Sequence, residues 1–348
     1  MGNQSLGIGL FGTNGHQIQH LLLQNPRARL VAVAGMSPEW LDRLITADES
    51  GAGIRFYETL DGLLNDSGVD LISLCSPVRA NQAAEAIRCL YAGKHVYAEK
   101  PCALTEDELD EILTAAQENG KVFHEMAGTA FDEPYATVME IVRTGKLGPI
   151  VQVFAQKSYP WHAGRPKDET VDGGLIQQCS IHAIRMIEQV SGLSVTDIEA
   201  VETSLGNPDP DSDLKMAAIL MLRLQNGGVA AVTANYLNQA EFGVWGHEQL
   251  RLFGTRGFVE TTDKGQWIET VIQGEGTSRI RPTGGRRDYF ERILDEILDG
   301  QPMPLTQNEE IHPTRVVIRA RQSARRHEAN NHVPERNRAI VAREGTSS

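Results

Sequence analysis

Up to about residue 125 the chain alternates short apolar, β-branched runs with amphipathic stretches. "LGIGLF" reads as a strand leading into a helix from about Gly15 to Gln24, and "RLVAVAG" is a second strand. "VDLISLC" is apolar almost throughout, as expected of a strand buried on both faces. "NQAAEAIRCLYAG" predicts a helix that stops at Gly93, where a left-handed C-cap costs least. "KHVYAEK" is another strand. "TEDELDEILTAAQENG" opens with the capping-box pair Thr105 and Glu108 and ends at Gly120, and "KVFHEM" closes the series. Strands alternating with crossover helices predict an α/β domain built on a mostly parallel, doubly wound sheet.

From about Ile150 the pattern changes. "IVQVFAQKSY", "VTDIEAVETSL", "LKMAAILMLRL", "GGVAAVTANYL", "EQLRLFGT" and "GFVETTD" follow one another with turn residues such as Asn226-Gly227-Gly228 between them. This predicts an α+β domain with a large, mostly antiparallel open sheet. Two helices, about Arg286 to Gly300 and Gln307 to Glu328, should end the fold. The expected division is 1–127 for the first domain and 128–335 for the second, with 336–348 a disordered tail.

The 348 residues carry a formal charge of −13, and 41% are hydrophobic, enough for two domains with real cores. The negative balance argues against nucleic acid as a partner, and the basic run Arg315 to Arg326 reads as the solvated face of a helix. Cys75, Cys89, Cys102 and Cys179 lack metal or redox spacing and sit among apolar neighbours, as buried thiols of a reducing compartment would. No metal site is expected, because the histidines are scattered. "MGNQSL" has neither a cationic start nor a myristoylation signal, since Leu6 stands where Ser or Thr is needed, and "MAAILML" is too short to span a bilayer. A cytoplasmic protein without membrane partners is the expectation.

Chemistry first shows in "GIGLFGTNGHQ". A strand passing through Gly12-Thr13-Asn14-Gly15 into a helix is the Rossmann context for a dinucleotide pyrophosphate, which the helix N-terminus and backbone N–H groups would face. The glycine fingerprint is altered: counting from Gly12, Asn14 and Gln17 occupy the second and third positions, and the formal match from Gly7 lies inside the strand. Asn14 tolerates a left-handed backbone better than most residues. The acid that usually binds the adenosine ribose after the second strand is missing from "AGMSPEW". Gly35 and the hydroxyl of Ser37 could admit a 2′-phosphate, with Arg43 a distant charge partner, so NAD and NADP both stay open.

Glu99-Lys100-Pro101 ends "GKHVYAEKP" at the carboxyl edge of a parallel strand, where α/β sheets bind ligands. With "GLFGTNG", "LCSPVRANQAAEAI", "VRTGKLGPIVQV", "GGLIQQCSIHAI" and "LFGTRGFVE", this chain resembles the Gfo/Idh/MocA family (glucose–fructose oxidoreductase, inositol dehydrogenase, MocA) over nearly its whole length. The resemblance implies an N-terminal Rossmann domain binding NAD or NADP, a C-terminal domain whose open sheet forms a homodimer or homotetramer interface, and hydride transfer on sugars, cyclitols and related polyols. By position it implies that Gly12, Thr13, Asn14 and His16 line the dinucleotide and that Ser76 and Pro77 lie beside the nicotinamide ribose. Glu99 and Lys100 would flank the nicotinamide, with Lys100 also on the substrate, and the peptide before Pro101 would be cis.

The family's helix motif has Gly-Gly, then Asp, then His four residues later. Here Gly173, Gly174 and His182 match, while Gln178 holds the Asp position. Spacing of i and i+4 puts Gln178 and His182 on one helical face, toward one cleft wall. His182 has the pKa range for proton exchange near neutrality, so it is expected to take the hydroxyl proton while Lys100 holds the same oxygen. In "SYPWHAGRPKDETVDGG", Trp161, His162, Arg165 and Lys167 form a natural sugar-binding set, and Trp245 with His247 is a second candidate group. An amide at 178 cannot support an imidazolium as a carboxylate does. Two alternatives to a dehydrogenase therefore follow: a glycosidase or lyase using transient oxidation without net redox change, or a non-catalytic dinucleotide- or sugar-binding regulator.

Overall fold

The computed structural model describes residues 5–23, 25–37, 39–40, 53–209, 211–284 and 289–330. Arg43 and the predicted tail 336–348 lie outside the described residues. Six strands, β1 (Leu6–Phe11), β2 (Ala28–Ala34), β3 (Arg55–Tyr57), β4 (Leu71–Leu74), β5 (His95–Ala98) and β6 (Phe123–Glu125), form one parallel sheet in the order β3-β2-β1-β4-β5-β6. Every residue of β1 and β4 is buried, Ser73 included, which explains their almost wholly apolar sequence. The chain order reverses between β1 and β4, so a crevice opens there at the carboxyl edge. The Thr105–Glu108 capping box forms as predicted. β3 escapes the sequence pattern because "RFY" is short and only partly buried.

The first helix is much shorter than predicted, Gln19–Leu22 rather than Gly15 to Gln24. Gly15 has φ +134°, outside any helical region, and the buried Gln17 amide donates to the carbonyls of Phe11, Gly12 and Ser73. Residues 13–18 are thus tied to the sheet edge as a loop.

The second sheet has eight strands: β7 (Ile150–Pro160), β8 (Val195–Thr203), β9 (Ala217–Leu224), β10 (Val229–Asn238), β11 (His247–Gly254), β12 (Gly257–Thr262), β13 (Trp267–Ile272) and β14 (Gly276–Ile280). Their order is β14-β13-β12-β11-β7-β10-β9-β8, antiparallel except for the β7–β10 pair. β14 is exposed throughout and carries no alternation by which the sequence could announce it. The inner face, with Val153, Ala155, Lys157 and Tyr159 of β7, packs on a helical rod. That rod runs through a widened π turn (Ile176–Ser180), an α segment (Ile181–Arg185) and a second π turn (Met186–Val190).

The closing helices Tyr289–Asp299 and Gln307–Asn330 return to the first domain. Tyr97 stacks on Phe290 with ring centroids 5.9 Å apart. A buried network ties the parts together: Arg185 donates to Glu125 at 2.5 Å and to the Met126 carbonyl at 2.7 Å, while Glu125 also accepts from Thr314 at 2.6 Å. Removing one partner of a buried ion pair strands the other charge. Arg185→Met is therefore expected to lower unfolding free energy by about 3–5 kcal/mol, read as a fall in the urea midpoint.

Candidate active site

At the carboxyl edge of the parallel sheet, Gly12 has φ +68°, and a Cβ there would sit 2.2 Å from the Cys75 carbonyl oxygen. Only glycine fits. Gly15 is equally constrained, since a Cβ would meet the Glu99 carboxyl group at about 2.5 Å. Asn14, in the altered glycine position, uses its side chain as a strut: Nδ2 donates to Val171 O at 2.6 Å and to Pro77 O at 3.3 Å, joining the two domains. Beneath the turn lies buried Arg79, which donates to the Asn14 carbonyl at 2.6 Å and leaves its Nε without a partner. Thr13 and Pro77 are exposed on the rim. The Ser76 hydroxyl turns inward to Glu85, and Ser37 accepts from the Trp40 N–H at 3.3 Å across the loop after β2. A tight turn with glycine at both ends, over a buried cation at a sheet switch point, fits a dinucleotide pyrophosphate, with Gly12 and Gly15 letting the backbone approach.

Glu99 and Lys100 follow β5, and the Lys100–Pro101 peptide is cis. Glu99 accepts from the His16 N–H at 2.5 Å and meets the His16 ring nitrogen Nδ1 at 3.0 Å. Burial alone would raise the Glu99 carboxyl, but His16, Lys100 and Arg79 hold it well below the usual carboxylate range. Lys100 Nζ donates to the Gln178 carbonyl oxygen at 2.8 Å, inside the widened turn, and lies 4.0 Å from Glu99. Burial lowers the Lys100 ammonium to about 8, against the opposing pull of Glu99 and with a further push from Arg79.

Lys100 and His182 line the same cleft, of about 360 Å³, together with His16, Tyr97, Thr129, Asp132, Tyr135 and Glu248. The imidazole Nε2 faces Tyr159 Oη at 3.3 Å, and Nδ1 faces Thr129 Oγ1 at 3.4 Å and Glu248 Oε1 at 3.9 Å. Burial, then the charges of Lys100, Lys157 and Arg185, push His182 well below its ordinary value, so it is a neutral acceptor at neutral pH. Among the described residues no group of three or more His, Cys, Asp or Glu is arranged to hold a metal ion, and no helix is long and apolar enough to cross a membrane.

Other sequence candidates lie elsewhere. Gln178 does not share the cleft wall with His182; it is half-buried, with Oε1 3.5 Å from Tyr236 Oη on β10. Arg165 is buried, stacked 3.7 Å over the Tyr236 ring and bonded to the Pro160 carbonyl, with its Nε left without a partner. Trp161 is on the surface, His162 packs on Trp245 with ring centroids 5.5 Å apart, and Lys167 pairs with Asp209. None of these lines the cleft. His247 is buried against Phe242. Thr129, Tyr135, Tyr159, Arg79 and Glu248 are the residues that sequence reasoning missed. Glu248 directly follows His247 in a stretch singled out for its aromatics, but only the strand register shows that it faces the helical rod.

Residues 6–126 match the model of an oxidoreductase family with an NAD-binding Rossmann fold, and residues 135–260 match the GFO/IDH/MocA C-terminal domain. The chain belongs to the Gfo/Idh/MocA oxidoreductase family. It is 27% identical over 280 residues to the uncharacterized oxidoreductase YrbE of Bacillus subtilis, covering 75% of this chain and 77% of that one. It is 24% identical to a myo-inositol 2-dehydrogenase of Thermotoga maritima, covering 74% and 75%. An aldose-aldose oxidoreductase of Caulobacter crescentus, solved with glycerol, superposes with a TM-score of 0.77 at 21% identity, covering 93% of this chain and 98% of that one.

Proposed function

We propose that this protein is a cytoplasmic NAD(P)-dependent dehydrogenase of a sugar- or cyclitol-like polyol, with Lys100 and His182 as its catalytic residues. The single observation that carries this reading is the meeting of a buried ammonium and a neutral imidazole in one cleft, reached from two domains. The inositol dehydrogenase among its relatives supports the substrate class. A nicotinamide bound along the carboxyl edge would supply the hydride acceptor. Lys100 Nζ holds the carbinol oxygen and stabilises the alkoxide charge that grows as the proton leaves. With Nε2 engaged by Tyr159, Nδ1 of His182 faces the cleft and takes that proton. Thr13, His16, Ser37, Ser76, Pro77 and Glu99 stand along the proposed track of NAD or NADP.

The outer face of the second sheet presents Phe154, Ile219 and Met221, each about half or more exposed, as an apolar surface for a second copy. We assign it to a homo-oligomer. A native mass spectrum of the purified protein is expected to show a dimer or tetramer retaining dinucleotide, and a bare monomer would count against both assignments. The enzymatic reading is tested by absorbance at 340 nm with a panel of polyols. Stoichiometric reduction of added NAD or NADP supports it. Product formation with catalytic cofactor and no net reduction would instead support redox-assisted cleavage, the reading that Gln178 favours. Tight dinucleotide binding without any turnover would support the regulator.

A further inference from the structure

The helix carboxylate that would serve His182 is absent, since Gln178 stands in its place and points to Tyr236. The imidazole nevertheless has an acidic neighbour, and it comes from the sheet. β11 runs antiparallel to β7 with Glu248 opposite Lys157, and both side chains lie on the inner face toward the helical rod. Glu248 Oε1 lies 2.6 Å from Lys157 Nζ and 3.9 Å from His182 Nδ1. It also lines the cleft, where the neighbouring Tyr135 phenol is driven well above its ordinary value by burial and then by this carboxylate. Among the described residues, no other carboxylate is paired with His182 within 4 Å.

We propose that Glu248 is the positioning carboxylate for His182, supplying from β11 a negative charge that position 178 of the helix does not carry. This rests on His182 being the proton acceptor. As the carbinol is oxidised, the C–H hydrogen leaves with its electron pair to the bound dinucleotide, the O–H proton goes to Nδ1, and C=O remains. The imidazolium so formed sits among Lys100, Lys157 and Arg185, and His16 when protonated, all opposing its charge. Glu248 is the carboxylate within 4 Å that favours it, with Asp132 and Glu133 also in the cleft lining, while Tyr159 and Thr129 hold the ring by neutral contacts. In the resting protein burial and the flanking cations keep the imidazole neutral, and Lys157 shares the carboxylate. At 3.9 Å a proton on Nδ1 places unlike charges close enough to matter inside a partly buried cleft.

The test is a pH series of kcat with Glu248→Gln and Lys157→Met, using the full-length enzyme and its best polyol. Glu248→Gln is expected to lower kcat about 10- to 100-fold and to move the acid limb down by about one to two pH units, the two being the same energy. KM and dinucleotide affinity should stay within about threefold of wild type, a change too small to account for the loss. Lys157→Met frees the carboxylate and should move the limb the other way. A structural role alone would not give opposite signs. Glu248→Asp is expected to recover part of kcat. If Glu248→Gln leaves kcat and the limb unchanged while His182→Ala abolishes turnover, this inference fails and the assignment of His182 survives. If His182→Ala itself keeps turnover, the underlying reading fails.

Discussion

Replacing His182 with alanine is expected to lower kcat/KM for polyol oxidation by about 10²- to 10⁴-fold, the usual contribution of a positioned proton acceptor. Dinucleotide affinity should hardly change, because the imidazole lies on the rod of the second domain and not on the carboxyl edge that carries the phosphate turn. Removing a buried ring leaves a cavity, so His182→Asn belongs beside the alanine variant. It fills most of the space but cannot take a proton near neutrality. Equal losses in both variants, with unchanged melting temperature in the asparagine one, assign the loss to proton transfer. The wild-type rate should also lack a titration at the ordinary histidine value. Burial and the flanking cations keep His182 neutral well below 6.5, so the acceptor form persists as pH falls through that point.

The second large effect belongs to Lys100. Its charged form is the one that holds the substrate oxygen, and burial has brought its proton loss to about 8. Deprotonation removes the active form, so kcat/KM is expected to fall as pH rises above about 8, losing tenfold per pH unit. A steady rise through pH 10 would contradict the role. Lys100→Arg keeps its charge at every accessible pH, so its profile should lack that limb, while its absolute rate falls because a planar fork replaces a compact ammonium. Lys100→Met removes the charge and leaves buried Glu99 with less compensation. A loss of about 10²- to 10³-fold in kcat is expected, together with some loss of stability.

Much of this architecture is legible in the sequence because periodicity and end-of-element residues agree. The almost wholly apolar β4, the capping box at Thr105 and the glycine stops at Gly93 and Gly120 each dictate one local outcome. The first helix is misread because hydrophobic spacing cannot reveal that Gln17 caps three carbonyls of the sheet edge. At the site, Lys100 and His182 were legible as motif residues at the end of a strand and on a helix. Glu248 and Tyr159 were not, because their place depends on which strands pair and on which face of the sheet they lie, and Thr129 was not, because it sits in a short helical turn that only the fold brings to the imidazole. Arg165 is the converse case. A cation in an aromatic loop reads as a ligand binder, but the fold turns it inward onto Tyr236.

Whether Lys100 and His182 act on one oxygen before a nicotinamide is decided by a crystal of the protein with reduced dinucleotide and its best polyol. The predicted result is a single substrate oxygen within about 3.5 Å of both Lys100 Nζ and a ring nitrogen of His182. A polyol bound among Trp161, His162 and Trp245, or a nicotinamide seated away from Lys100, would contradict it.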